Sequence, residues 1–418
     1  MGGTDRGQGI EVPETMQAVV LRGRESVALE TVPVAGPGPR QLLGRVDAAG
    51  ICKSLIKTID QGRDHPYFYG RDLGAHPAIL GDEGSITVVG VGRDLDGQFE
   101  IGSRFVVQPA VDHPPITDRK IYRDGGRGIE KIACGYTLPG LLAQYVLIPE
   151  EVLRAHCLVP VGDRDIPYAH AAIAEPLSCC LSGQEHHMHL LQESLTARRV
   201  ARNGLRQGGV TVIVGLGAMG RMHADIALGS GPAGIICSDP MGSRREKAMA
   251  LLAGRADDAG IRFAAVTPEA LQGTVEQVSG GRGADDLIIA VGVGAVVEQS
   301  LPLLARGGTA SIFGGLKTGG ETIAVDANTI HYRETCITGS SGGTAWDIAR
   351  TVAMMMDAGI DAGAHIVRIG GMAEALGFID DVRCNRLEGK AVLYPHKDVP
   401  DALDVDGWSA EDEVRHLA

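Results

Sequence analysis

The sequence predicts an α/β protein of two domains: a β-rich domain, and a domain built on a doubly wound parallel sheet. Three observations carry this. From about residue 209, apolar runs that read as strands alternate with segments of helical period, the pattern of a parallel sheet covered on both faces. Before about residue 150, short alternating apolar runs are punctuated by Pro and Gly. The 418 residues suffice for two or three domains of about 150 residues each.

Composition sets the class. With 44% hydrophobic and 22% charged residues, the chain can bury a core and is not of the disordered kind. A net charge of −13 argues against a nucleic-acid partner, which selects for basic surface. No apolar run approaches the roughly 18 residues of a membrane span, and the polar start MGGTDRGQGIEVPET lacks a signal-peptide core. A cytoplasmic protein with no membrane partner is expected. The eight cysteines contain no C-x2-C pair, so a zinc ribbon is not expected, and in the cytoplasm thiols or metal ligands are expected rather than disulfides.

The elements follow in order. Residues 1–14 read as a peripheral tail. MQAVVLRG, SVALETVPV and LLGRVDAAG read as strands around the turn AGPGPRQ, with further strands at 86–91, 104–108 and 144–148. Residues 110–140 are Gly/Pro-rich and read as a long loop lobe. A helix after about residue 180 leads to GGVTVIVGLGAMG, then strand IICSD, helix 244–254, a strand near 262–266, helix 268–278, strand DLIIAVG, helix 294–305 and strand TASIFGG. Beyond these come helix 344–358 and strand KAVLYP. The acidic stretch 399–418 reads as a second peripheral tail. His186, His187 and His189 read as a partly exposed histidine-rich helix on which 186 and 189 share a face.

Gly215, Gly217 and Gly220 form G-x-G-x-x-G with Leu216, Ala218 and Met219 between them. The motif follows a strand and opens a helix, the context that marks a dinucleotide-binding Rossmann turn. The first glycine permits the turn and the second admits the pyrophosphate. The third allows close helix packing, and the helix N-terminus offers free N–H groups. Asp239 ends the next strand, where a carboxylate accepts hydrogen bonds from a ribose diol and repels a 2′-phosphate; this favours NAD over NADP. Arg244 and Arg245 qualify that preference, since either can hold a phosphate or lie over the adenine. Val291 and Gly292, with 313–315, are expected along the nicotinamide.

Cys52, Asp82, Glu83 and Glu175 lie in three Gly- or Pro-flanked segments, AGICKS, LGDEGS and AEPLSCC. Thiolate and carboxylates are zinc ligands, though singly each also reads as a buried cysteine or a solvated acid. In these segments the chain resembles the zinc-dependent medium-chain dehydrogenases. AGICKS is similar to their A-G-[IV]-C-x-[ST] stretch and PAILGDEGSITVVGVG to their G-H-E segment. AEPLSC resembles the E-P-L segment of their polyol and threonine dehydrogenase branch. The likeness spans about residues 16–396, and CKSLIKTIDQGRDH most resembles L-sorbose-1-phosphate reductase-like sugar dehydrogenases.

The resemblance implies a GroES-like catalytic domain over 1–180 and 332–418, a Rossmann domain over 181–331, and an active site in the cleft between them. It implies one catalytic zinc on Cys52, with Glu175 as ligand or neighbour and Glu83 against the metal. It makes Ser54 the partner of the reacting alcohol and places Lys57 in the proton relay. The family's ligand histidine is Asp82 here. Cys⁻, Asp⁻ and one Glu⁻ around Zn²⁺ leave a net −1 where histidine leaves zero, which weakens Lewis acidity. The family's four-cysteine lobe is missing, since 108–140 holds only Cys134, so no structural zinc is expected. Tyr67, Phe68, His113 and Trp346 are candidates for the substrate pocket.

The expected activity is NAD-dependent interconversion of a secondary alcohol and a ketone on a polyol, sugar or derivative, in a homodimer or homotetramer. The alternatives are three. One is a redox-neutral enzyme such as an epimerase, with tightly held NAD and Asp82 as a base. The others are a zinc-free reductase and a non-enzymatic nucleotide-binding role.

Overall fold

The computed structural model describes residues 11–112, 128–162, 166–316, 319–397, 399 and 401–417. The chain divides into two compact units, Met1–Glu175 with Ile366–Ala418, and Pro176–His365. Among the described residues, no helix is long and apolar enough to cross a membrane.

The first unit is built on an eight-stranded, mainly antiparallel sheet. Its central strand, Leu42–Gly50, is buried at nearly every position and pairs with Gly84–Val91, Tyr145–Ile148 and, at its end, Lys390–Leu393. Gly84–Val91 continues to Arg104–Val107 and Leu158–Pro160, and Lys390–Leu393 to Ile366–Gly370 and Leu403–Asp404. The β-branched and leucine side chains of these strands, such as Val46, Ile86, Val88, Ile148 and Leu393, form one core. A smaller sheet joins Thr15–Gly23 to Ser26–Pro33 and Ala78–Ile79.

Two stretches differ from the sequence reading here. The expected C-terminal tail docks onto this unit: Leu403–Asp404 adds to the sheet, while Trp408 and Leu417 are buried. The Trp408 indole donates to the Tyr394 hydroxyl at 2.8 Å, which satisfies its polar end. Within the loop lobe, Ala110–Asp112 pairs with Lys131–Ala133, and Cys134 is packed in the core. The rest of the lobe, residues 113–127 with His113, lies outside the described residues.

The second unit carries a six-stranded all-parallel sheet. Its order is Arg262–Val266, Gly234–Ser238, Val210–Val214, Ala284–Ile289, Leu304–Ile312, Cys336–Thr338. In chain order this is 3-2-1-4-5-6, the doubly wound dinucleotide-binding arrangement. Both faces are covered, so successive residues enter different cores: Val212, Ile236 and Leu287 pack with Leu271 and Val275, whereas Ile213, Ile235 and Ile288 pack with Ala224 and Leu252.

Residues 332–365, placed by the sequence reading with the first domain, belong to this unit. Cys336–Thr338 is its sixth strand, and Ala345–Met356 is a helix opened by a Thr344–Asp347 capping box. The expected helix 294–305 ends at Ser300, because Pro302 cannot continue it, and Leu304 already begins a strand. The histidine segment is not helical either. The helix Ala174–Glu185 stops before it and Met188–Leu191 is a strand, so His187 and His189, not 186 and 189, share a face.

Candidate functional site

The central strand of the first unit delivers its chain directly into the site. Leu42–Gly50 ends, Cys52 follows in the turn, and the helix Ser54–Gln61 begins. A second turn carries Asp82 and Glu83 just before Gly84–Val91, the strand paired with it. Cys52, Asp82 and Glu83 each place a ligand atom within 4.8 Å of the others. Gly50 is what admits Glu83: a Cβ at residue 50 would lie 2.3 Å from Glu83 Oε2. The Ser54 hydroxyl donates to Asp82 Oδ2 at 2.6 Å, and the Ser54 N–H points to the Cys52 sulfur at 3.5 Å. Asp82 Oδ1 is buried with no hydrogen-bond partner.

Two residues missed in the sequence complete this cluster. Lys390 is buried, with its Nζ 2.7 Å from Glu83 Oε1, 2.6 Å from Oε2 and 3.2 Å from the Ile51 carbonyl. It arrives because Lys390–Leu393 pairs with residues 49–50 of the central strand. Tyr136 is buried with its hydroxyl beside Asp82, Thr58 and Ser54. His65 stacks on the Tyr136 ring at 5.1 Å, and Tyr67 meets the same ring edge-on at 5.5 Å.

Charge in the cluster follows from burial. Burial, then Asp82 and Glu83, pushes the Cys52 thiol well above its ordinary value. Burial and the neighbouring Glu83 push Asp82 up to about 6, against the lowering effect of the Ser54 hydrogen bond. Burial opposes the charge on Lys390, but Glu83 and Cys52 outweigh it and hold the ammonium above its usual range. The Lys390 cation therefore offsets one of the anions that the sequence counted. Glu175 is buried in the first turn of Ala174–Glu185, near enough to act electrostatically on both Cys52 and Lys390.

The other sequence candidates divide. Lys57 is exposed on the helix that carries Ser54, close enough to His65 to disfavour its protonation. Tyr67 is half-buried at the aromatic cluster, whereas Phe68 is core. Trp346 belongs to the second unit, where it stacks with Arg350 and is exposed.

In the second unit the glycine turn has the predicted form. Gly215 has φ +96°, and Gly217 caps the helix Ala218–Leu228 with open space where a Cβ would stand. A Cβ on Gly220 would fall 1.7 Å from the Gly215 carbonyl oxygen. Gly217, Ala218 and Met219 are partly exposed at the helix start, where free N–H groups gather. Asp239 is buried and accepts from the Leu216 N–H at 2.8 Å and the Met241 N–H at 2.9 Å, with Arg244 Nη1 3.4 Å from it. Arg245 donates to the Asp239 carbonyl at 2.6 Å. Val291 lies against Gly215, since a Cβ there would meet Val291 Cγ1 at 2.4 Å, and Gly292 abuts the Gly315 carbonyl.

The histidines near 187 were read as a partly exposed helix, and here the structure differs most. His187 and His189 are buried, and both contact Asp286 Oδ1, at 2.7 and 2.8 Å.

Comparison with known proteins agrees with this architecture. Residues 38–163 match the family model of the alcohol dehydrogenase GroES-like domain, and residues 215–358 that of the zinc-binding dehydrogenase; together they cover more than half of the chain. The chain is 26% identical over 395 residues to mannitol-1-phosphate 5-dehydrogenase of Aliivibrio fischeri, covering 92% of this chain and 87% of that one. It is 27% identical over 368 residues to L-sorbose 1-phosphate reductase of Klebsiella pneumoniae, covering 87% and 84%. Its fold matches that of a zinc-binding dehydrogenase of Sinorhizobium meliloti 1021 bound to NADP, with TM-score 0.71 and 24% identity over 92% of this chain and 100% of that chain.

Proposed function

The chain belongs to the zinc-type medium-chain dehydrogenase family, in its polyol branch, and on that premise we propose that it oxidises a secondary hydroxyl of a polyol or sugar derivative with NAD, reversibly, around a zinc ion held by Cys52 and Asp82. An alcohol/polyol dehydrogenase using a nicotinamide nucleotide is the activity of this family. The carrying observation for the metal is the buried, unpartnered Asp82 Oδ1 beside Cys52 and Ser54.

The donor set fits zinc. Thiolate and carboxylate are zinc ligands, and a cation reverses the electrostatics that hold the Cys52 thiol protonated. Glu83 is engaged by Lys390 through both oxygens, so Glu175 is the better third ligand and Glu83 the charge-compensated neighbour. Zinc, when bound, supplies Lewis acidity to the alcohol oxygen, and NAD, when bound, takes up the two electrons.

The remaining work falls to side chains. The Ser54 hydroxyl donates to Asp82, which leaves its oxygen lone pairs to accept a hydrogen bond from the substrate hydroxyl proton and so to orient it. Lys57 stands three residues on along the same helix and is exposed, which suits release of that proton to water. Tyr136, His65 and Tyr67 supply a part-apolar wall with a hydroxyl at its inner end, suited to a polyhydroxylated chain.

Asp239 supports NAD, because a 2′-phosphate would approach its carboxylate. The two curated relatives act by name on phosphorylated hexose derivatives, so hexitol 1-phosphates are the first substrates to try. The relatives are alcohol and polyol dehydrogenases or reductases by name, which supports the redox reading over the redox-neutral one. The test is steady-state turnover on hexitols, pentitols and their 1-phosphates with NAD and with NADP. Turnover is expected with NAD preferred at least tenfold, and Asp239→Ser should narrow that preference. No turnover on any secondary alcohol or ketone of the panel would overturn the reading.

A further inference from the structure

We propose that His187, His189 and Asp286 form a second metal site, for a divalent ion of the zinc class, inside the second unit and independent of the Cys52 cluster. The donor atoms are His187 Nδ1, His189 Nε2 and Asp286 Oδ1, all within 4.8 Å of one another. Two imidazoles and one carboxylate are an established set for such ions.

The fold builds this arrangement locally. The helix ends at Glu185 and Met188–Leu191 runs as a strand, so the alternate residues His187 and His189 point one way while Met188 and Leu190 are exposed. The Thr309 hydroxyl donates to the Met188 carbonyl at 2.8 Å, which fixes that strand against the parallel sheet. Asp286 stands in the sheet, in register with Thr211 on one neighbouring strand and Thr309 on the other. The Arg206 N–H donates to its Oδ2 at 2.8 Å, orienting the carboxylate so that Oδ1 faces both histidines.

Charge makes the case for a cation. Asp286 and His187 show 0% exposure and His189 3–4%, and among the described residues the ion-pair partners of Asp286 are these two histidines. Neutral imidazoles and the Arg206 N–H hydrogen-bond the buried carboxylate but bring no positive charge to it. In an imidazolium and in a metal-bound imidazole alike, the far nitrogens His187 Nε2 and His189 Nδ1 carry buried protons without a partner, so that cost does not separate the two. A metal ion between the three donor atoms supplies the missing positive charge without adding a proton to either ring. Bonds of about 2.1 Å in a tetrahedron set donors about 3.4 Å apart, so contacts of 2.7 and 2.8 Å must open by ~0.6 Å, within side-chain reach. The ion would pin 187–189 to the middle of the sheet, a structural rather than catalytic role.

The experiment uses untagged full-length protein, loaded with zinc and freed of excess. Metal per chain is measured by mass spectrometry, and ligand type by X-ray absorption at the zinc edge. The Cys52 cluster offers sulfur and oxygen but no imidazole, so histidine scattering reports on this second site and sulfur scattering on the first. Two zinc ions per chain with an imidazole signature are expected. His189→Gln should lose one ion and that signature while keeping sulfur ligation. An imidazole signature absent from the zinc-loaded wild type, or unchanged in His189→Gln, would overturn the proposal. Should the variant not fold, as judged by circular dichroism, the wild-type spectrum alone decides. Loss of the sulfur signature would instead count against the catalytic zinc.

Discussion

Lys390→Met is the sharpest perturbation of the Cys52 site that leaves its proposed ligands in place. Lys390 is 5% exposed and Glu83 fully buried, and the ammonium lies within 2.7 Å of both carboxylate oxygens. Removing one partner of a buried pair leaves the other charge uncompensated, at about 3–5 kcal/mol. For a unit of this size that corresponds to a fall in Tm of roughly 10 °C. Replacing both partners, as Glu83→Gln with Lys390→Met, removes the stranded charge, and such replacements are often neutral or stabilising. The double variant should therefore recover most of the loss. Thermal unfolding followed by circular dichroism, in chelator so that metal does not contribute, reads both effects. A drop below about 3 °C in the single variant, or a double variant as unstable as the single, would refute the assignment of Lys390 as the counter-charge of Glu83.

Three further outcomes follow from the same geometry. Ser54→Ala should lower kcat by about 10²-fold or more, because the hydroxyl orients the reacting alcohol; a loss in KM alone would contradict this. Gly220→Ala should abolish detectable NAD binding by calorimetry, since its Cβ would overlap the Gly215 carbonyl; wild-type affinity would contradict it. Burial, and then the Lys57 charge, lowers His65 to about 4. The unfolded chain, with a histidine near 6.5, thus binds more protons between those values, so this residue's contribution to stability is present above pH 6.5 and lost as pH falls towards 4. His65→Gln should flatten stability against pH in that window, and an unchanged slope would count against the burial of His65.

What was legible in the sequence was what local chemistry dictates. The glycine turn declared itself because each glycine answers a backbone demand: Gly215 its positive φ, Gly220 its contact with the Gly215 carbonyl. The strand Val210–Val214 was visible as a short apolar run, and Ala284–Ile289 through its apolar end Leu287–Ile289, each bounded by turns. Cys52, Ser54, Asp82 and Glu83 were visible through short segments, and the structure brings them together. Lys390 was not, because nothing local marks a lysine that reaches a carboxylate more than 300 positions away; only strand pairing at Gly50 joins them. Tyr136 stood in a polar stretch without period, and its role depends on the turn that carries Asp82.

The histidine segment misled because H-H-M-H-L-L continues a helix in composition, while the chain changes there to a period of two. The sequence signal that was available is the H-x-H alternation itself. The docked C-terminus had a comparable signal: Trp408, one of only two tryptophans, is an expensive residue to leave in water. Residues 332–365 were misplaced because a three-residue strand such as Cys336–Thr338 is too short to show a pattern.

The central claim is that the Cys52 cluster performs the alcohol chemistry with a nicotinamide nucleotide. It is tested most directly by following NADH formation from a secondary polyol or polyol phosphate in the wild type and in Cys52→Ala, with NAD affinity measured on both. The account predicts turnover in the wild type, a loss of about 10³-fold or more in kcat/KM for Cys52→Ala, and equal NAD binding. Turnover that survives the loss of the Cys52 thiol would contradict it.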